Sequence, residues 1–243
     1  MEPRDLEPRQ AMSAADVMTT RVISVLPDTS VREVARVLFA NRISAVPVVD
    51  AEDRVLGMLS EGDIVRRAKT GPDGGGAWWL SSPAAGRPPD GGGAGTGELT
   101  ARDVMTRDVF RITEDAPLEE VAALIERHRI KRVPVERDGR LVGIVSRANV
   151  IHGLAARRAG GASAPGDAGI RAAILGALAQ AGVSTHLMNV VVAEGTAFLW
   201  GAVETISEHG AVREAAQVTP GVKRVSDHLF VLESRLRPGM SED

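Results

Sequence analysis

The sequence predicts an α/β (α+β) protein: two copies of a β-α-β-β-α unit, followed by a small α-β-β-α-β domain. Three observations predict this. The first is an internal repeat. Ala14 to Val48 lies on Ala101 to Val135 at a constant offset of 87, and from Arg54 to Ser60 the offset becomes 86. The second is the switch of apolar spacing, within each copy, between strand-like and helix-like periods. The third is the composition: 44% of residues are hydrophobic and 25% charged, which suits a folded core, and aromatics are only 3%.

The repeat is carried by ordered identities. Ala14-Ala15-Asp16-Val17-Met18-Thr19 matches Ala101-Arg102-Asp103-Val104-Met105-Thr106. Glu33-Val34-Ala35 matches Glu120-Val121-Ala122, and Arg42-Ile43 with Val46-Pro47-Val48 matches Arg129-Ile130 with Val133-Pro134-Val135. Gly57 and Ser60 match Gly143 and Ser146. In the first copy, Val22 to Val25 reads as a short strand. Ser30 and Glu33 have capping-box spacing, and Val31, Val34, Ala35 and Leu38 recur at helical spacing behind them. Ala45 to Val49 and Val55 to Leu59 are strands around the polar turn Asp50 to Asp53. Ser60 is a natural N-cap for a helix beginning near Gly62. The second copy repeats each element.

The expected organisation is an N-terminal segment 1–13, the first repeat at 14–68, a linker at 69–100, the second repeat at 101–157 and a linker at 158–167. A last domain at 168–233 and a tail at 234–243 follow. Ten glycines and four prolines fall within 69–100, so flexibility is expected there, with Trp78-Trp79-Leu80 as an apolar anchor docking on a neighbouring core face. In the last domain Ile170, Ala173, Ile174, Ala177 and Leu178 mark an amphipathic helix. Asn189 to Ala193 and Thr196 to Trp200 are strands around Glu194-Gly195, Thr205 to Val218 is a helix, and Val222 to Leu232 is a closing strand.

Several function classes find no support. The net charge is −3, so no global attraction to nucleic acid is expected. There are no cysteines, which excludes disulfides and thiolate chemistry. The five histidines lack metal-ligand spacing, so no metal site is expected. No nucleophile–base pair, kinase motif set or phosphate loop appears, so no catalytic residue is assigned and the protein is expected not to be an enzyme. No apolar run reaches the ~20 residues of a membrane-spanning helix, no signal peptide is visible, and a cytoplasmic location is expected.

The two repeats resemble cystathionine-β-synthase-type (CBS) domains, which occur as tandem Bateman modules. The resemblance rests on Asp-Val-Met-Thr, the Ile-x-x-Val-Pro-Val strand and the Gly-x-x-Ser turn, each occurring twice in the same order. It implies a pseudo-twofold pair of repeats, clefts that bind adenosyl ligands, and homodimerisation. An adenosine needs an apolar slot, an acceptor for the ribose diol and donors for phosphate. In the first repeat Val22, Ile43, Ala45, Val46 and Pro47 offer the slot, Asp63 the acceptor and Ser60 the donor end of a helix, with Thr19 adding a hydroxyl. The second repeat offers Thr106, Val109, Lys131, Arg132, Val133, Pro134, Ser146 and Asn149. The second repeat departs from the pattern. Asn149 stands where the acidic residue is expected, and Lys131-Arg132 replaces Ser44-Ala45. One good site is therefore expected, keyed on Asp63, with Lys131 and Arg132 as phosphate clamps. It favours AMP, ADP or ATP over S-adenosylmethionine or NAD, and no cofactor is required.

The last domain resembles a BON (bacterial OsmY and nodulation) domain. The resemblance is carried by Ile170 to Leu178, the Val190-Val191-Val192 strand ending at Gly195, Leu199-x-Gly201-x-Val203, and Ala215-Ala216 through Val225. It implies a phospholipid or protein partner. The expected function is a non-enzymatic regulatory module, in which the CBS pair senses an adenine nucleotide and relays binding to the BON domain. The alternative is a dimeric structural adaptor without nucleotide sensing, its BON domain binding phospholipid or a protein.

Overall fold

The computed structural model describes residues 11–70, 99–161, 164 and 166–232. The expected anchor Trp78-Trp79-Leu80, most of the 69–100 linker and the 234–243 tail lie outside the described residues. In chain order the elements are α1 (Ala14–Val17), α2 (Val31–Ala40), β1 (Ala45–Val49), β2 (Val55–Ser60), α3 (Glu61–Thr70), α4 (Ala101–Val104), β3 (Ile112–Thr113) and α5 (Leu118–Arg127). They continue with β4 (Arg132–Arg137), β5 (Arg140–Ser146), α6 (Arg147–Gly160), α7 (Asp167–Gln180), β6 (Met188–Ala193), β7 (Thr196–Val203), α8 (Ile206–Val218) and β8 (Arg224–Val231). The fold is mixed α/β.

The chain forms two compact units. The smaller comprises 23–111 and 136–141; the larger comprises the described residues of 1–22, 112–135 and 142–243. Each core draws in the opening segment of the other repeat. In the smaller unit Val34, Leu38, Val46, Val48 and Leu59 pack with Ala101 of α4. In the larger, Leu118, Val121, Val133 and Val145 pack with Ala14 and Val17 of α1 and with Met12 and Met18 on either side of it. The repeat gives the reason. Gly57 on β2 lies under Met105 and Thr106, where a Cβ would collide with the Met105 sulfur and the Thr106 carbonyl oxygen. Gly143 on β5 lies under Met18 in the same way. Each Asp-Val-Met-Thr motif thus closes on the Gly-x-x-Ser strand of the other repeat. Met58 and Thr106 exchange backbone hydrogen bonds of 2.9 Å, and Thr19 and Ile144 exchange bonds of 3.0 Å.

Two local expectations need correction. The strand expected at Val22 to Val25 contracts to a single parallel bridge between Val25 and Val48. Pro47 opposite has no N–H, so pairing runs only through Val25 N–H to the Pro47 carbonyl and Val49 N–H to the Val25 carbonyl. Ser30 caps α2 by accepting from the Glu33 N–H, but the Glu33 carboxylate does not complete a capping box; it pairs with Arg36 at 3.0 Å.

In the last domain the sheet order is β6-β7-β8, with β6 and β7 antiparallel and β7 and β8 parallel. One face, with Val190, Val192, Leu199 and Val203, packs on Ile174 and Leu178 of α7 and on Val212 and Ala216 of α8. The other face, with Val191, Ala193, Phe198 and Trp200, joins the core of the second repeat. His152 of α6 stacks on Trp200 at 4.7 Å, half-buried rather than on the surface as its type suggests, and burial lowers its pKa below the ordinary histidine value. Gly195, at φ +75°, forms the expected hairpin turn. That turn is clamped by Asp167, the buried first residue of α7, whose carboxylate accepts from the N–H groups of Ala164, Glu194 and Gly195. Among the described residues no helix is long and apolar enough to cross a membrane.

Candidate functional site

The candidate residues divide between the two units. In the smaller unit the β1–β2 register sets Ala45 opposite Ser60, and α3 starts directly after β2. The Asp63 Oδ2 accepts from the Ser60 N–H at 2.9 Å and the Ser60 hydroxyl at 2.6 Å, while Ser60 Oγ accepts from the Asp63 N–H. This reciprocal cap fixes the carboxylate, which belongs to a residue only 9% exposed. The other oxygen, Oδ1, accepts from Arg66 at 2.7 Å and faces the Thr106 hydroxyl at 3.5 Å. Ile43 and Val109 are half-buried, as is Ala45, whereas Val46 and Pro47 are buried, Val46 within the core. It is therefore Thr106, from the second repeat, that the fold brings to Asp63.

The larger unit holds Thr19, Val22, Lys131, Arg132, Val133, Pro134, Ser146 and Asn149. Ser146 and Asn149 form the same reciprocal cap on α6: the Asn149 Oδ1 accepts from the Ser146 N–H at 2.8 Å and its hydroxyl at 2.6 Å. Thr19 pairs with Ile144 as Thr106 pairs with Met58. Lys131 is exposed and Arg132 and Val22 are half-buried, while Val133 and Pro134 are buried, Val133 within the core. The Arg147 N–H donates to the Lys131 carbonyl and its Nε to the Ile130 carbonyl, tying the start of β4 to the start of α6.

A third set escaped the sequence reading. Arg171 of α7, 7% exposed, donates from Nε to the Val190 carbonyl at 2.8 Å and from a terminal nitrogen to the Met18 carbonyl at 2.5 Å. Burial pushes its pKa down to about 10, opposed by the attraction of Asp16, so it stays charged at neutral pH. Asn189 of β6 donates to the Val17 carbonyl at 2.6 Å and faces His152 Nδ1 at 3.3 Å. Two side chains of the last domain thus hold the carbonyl end of α1, one residue before Thr19. The available signal was register: residue 171 falls on the stripe of Ile174 and Leu178, where a lone cation needs buried acceptors.

Among the described residues no group of three or more His, Asp or Glu side chains is disposed to hold a metal ion. The arrangement offers a fixed, nearly buried carboxylate at a helix start, facing the Thr106 hydroxyl. That chemistry binds hydroxyls.

Comparison with known proteins agrees with this architecture. The CBS domain matches residues 14–69 and 101–156, and the BON domain matches 166–233. Hypoxic response protein 1 of Mycobacterium tuberculosis is 31% identical over 142 residues, covering 58% of this chain and 85% of that protein. The CBS domain-containing protein YhcV of Bacillus subtilis is 28% identical over 134 residues, covering 55% and 79%. The solved structure of CBSX2 in complex with AMP is 25% identical, covers 60% of this chain and 98% of its own, and superposes with a TM-score of 0.46. The chain belongs to the CBS-domain family, with a tandem CBS pair and a C-terminal BON domain. CBS domains are regulatory modules.

The Gly57 contact yields a prediction. Gly57→Ala should destabilise the smaller unit by roughly 1–3 kcal/mol, because a Cβ has no room against Met105 and Thr106. Urea unfolding measures this. An unchanged midpoint would show that the Met105–Thr106 segment yields freely.

Proposed function

We propose that the protein is a non-enzymatic regulatory module that senses an adenine nucleotide of the AMP, ADP or ATP type through the constellation around Asp63 and relays binding to its BON domain. The observation that carries the reading is the Asp63 carboxylate: one oxygen is committed to capping α3, and the other accepts from Arg66, whose side chain is 73% exposed, and faces the Thr106 hydroxyl at 3.5 Å. A carboxylate oxygen has two acceptor positions, so a ribose hydroxyl can take the place of the 3.5 Å threonine contact or of Arg66. The half-buried Ile43, Ala45 and Val109 suit the face of an adenine. The ligand precedent of the CBS family supports the choice of an adenosyl compound, and the acidic residue at this place suits a ribose.

The relay is supported by the grip of Arg171 and Asn189 on the Met18 and Val17 carbonyls. The chain then runs through Thr19 and Val22 to Val25, which pairs with β1. The BON sheet face that carries Val191 and Phe198 is packed on the protein's own second repeat, which favours an intramolecular role for that face over a lipid-binding one. The same reading expects a cytoplasmic homodimer; Phe39 on α2 and Ile151 on α6 are 88% and 63% exposed and would supply apolar surface for a second copy.

Hydrogen exchange of the full chain with and without AMP tests the relay. AMP should slow exchange around Ser60–Asp63 and alter it in α1 and β6. Protection confined to 43–63 and 106, with α1 and β6 unchanged, would leave a nucleotide site that does not speak to the BON domain.

A further inference from the structure

His152 sits where α6 of the second repeat meets the BON sheet. Its ring lies on Trp200 of β7, with centroids 4.7 Å apart and planes 6° from parallel. His228 of β8 stacks on the same tryptophan at 5.7 Å, so two imidazoles share one indole. This is the sheet face whose Val191, Ala193 and Phe198 are buried in the core of the second repeat. His152 is thus the titratable side chain that α6 presents to the docked sheet.

Its hydrogen is placed by its partner. The Val17 carbonyl can only accept, so the Asn189 atom 2.6 Å from it is Nδ2. Oδ1 therefore faces His152, and the ring nitrogen 3.3 Å away, Nδ1, carries a hydrogen. The neutral ring donates from Nδ1, and a second proton goes to Nε2.

Opposing forces then act on the charged ring. An indole face attracts a cation by about 0.5–2 kcal/mol, and the Asn189 oxygen favours the charged donor. Against these, the ring is half-buried, and a charge on His228 repels one on His152. β6 and β7 contain no acidic residue to balance it. On α1, Asp16 accepts from the Ser13 N–H and hydroxyl. On α5, Glu119 pairs with Arg157 of α6, and Glu120 and Glu126 are exposed. On β8, Asp227 pairs with His209 of α8. Arg171 adds a positive charge at the Met18 carbonyl, next to the Val17 carbonyl that Asn189 holds. Burial is the largest influence, and it leaves the His152 pKa below the ordinary 6.5.

We propose that His152 is a proton-operated latch: its neutral ring holds the BON sheet on α6, and a second proton on that ring loosens the hold. The sign follows from linkage. The folded chain takes up this proton less readily than the unfolded chain, so the latch contributes fully above pH 6.5 and its contribution is lost as pH falls through the lower folded value. Asn189 joins the latch to α1, because the amide that faces His152 also holds Val17. The latch requires no nucleotide.

The test is hydrogen exchange of the nucleotide-free full chain at about pH 8 and about pH 5, either side of the histidine range. Exchange of the β6 amides is read relative to α2 of the smaller unit, which contains no histidine, so that the intrinsic pH dependence of exchange cancels. The ratio should rise several-fold on acidification in the parent and stay level in His152→Phe, which keeps a ring on Trp200 but takes no charge. His152→Asn, which keeps an N–H toward Asn189 without the ring, should also stay level and serves if the first variant does not fold. In parallel, the His152 ring resonance, assigned by its loss in either variant, should titrate with a midpoint below 6.5. A level ratio in the parent, an equal rise in the parent and a folded variant, or a midpoint at or above 6.5 would each overturn the proposal.

Discussion

Arg171→Leu is expected to lower the stability of the larger unit by about 2–4 kcal/mol. The guanidinium donates to two backbone carbonyls, Val190 and Met18, from a nearly buried position. Hydrogen bonds to a charged group contribute about 1.5–3 kcal/mol each, and a leucine would leave both carbonyls without those donors. Release of a buried charge from its desolvation offsets part of the loss. Arg171→Lys should fall between the two, since an ammonium keeps the charge but not the fork that spans two carbonyls. Urea unfolding of the full chain, followed by tryptophan fluorescence, reads the effect because Trp200 lies in the same core. A midpoint within experimental error of the parent would mean that water replaces the arginine at no cost, and the grip on α1 would lose its energetic basis.

Asp63→Asn is expected to weaken AMP binding by roughly 1.5–3 kcal/mol, or about 10- to 150-fold, the worth of hydrogen bonds to a charged acceptor. Its effect on stability should stay below about 1 kcal/mol. The chain contains its own control: at the equivalent position Asn149 makes the same cap with Ser146 through its amide oxygen. The ion pair lost with Arg66 involves a side chain that is 73% exposed, and such pairs contribute little. The two readouts therefore separate. Loss of affinity with an intact melting transition assigns the carboxylate to the ligand. Parallel loss of both would assign it to the fold, and unchanged affinity would remove Asp63 from the site.

Much of the local structure was legible because its causes are local. Ser60 and Ser146 announce helix starts through side chains that satisfy the first free N–H groups, and the structure caps α3 and α6 with them. Glu194-Gly195 announces a hairpin because the second residue needs a positive φ. What the repeat could not announce is which core each motif joins. A repeat register reports that Thr19 and Thr106 are similar residues, not that Thr106 comes to Asp63 and Thr19 to Ile144. The glycines at 57 and 143 carry that information, but only once their neighbours across the sheet surface are known. Arg171 and Asn189 were missed for a related reason. Their partners are backbone carbonyls 153 and 172 residues away, and a carbonyl leaves no trace in a residue pattern. Val22 to Val25 read as a strand from its composition, yet one proline on the partner strand limits it to a single bridge.

The central claim is that the Asp63 constellation takes an adenine nucleotide. Calorimetric titration of the full chain with AMP, run in parallel on Asp63→Asn, tests it most directly. The account predicts saturable heat for the parent chain and affinity at least tenfold weaker for the variant. No heat in the parent, or equal affinity in both, would contradict it.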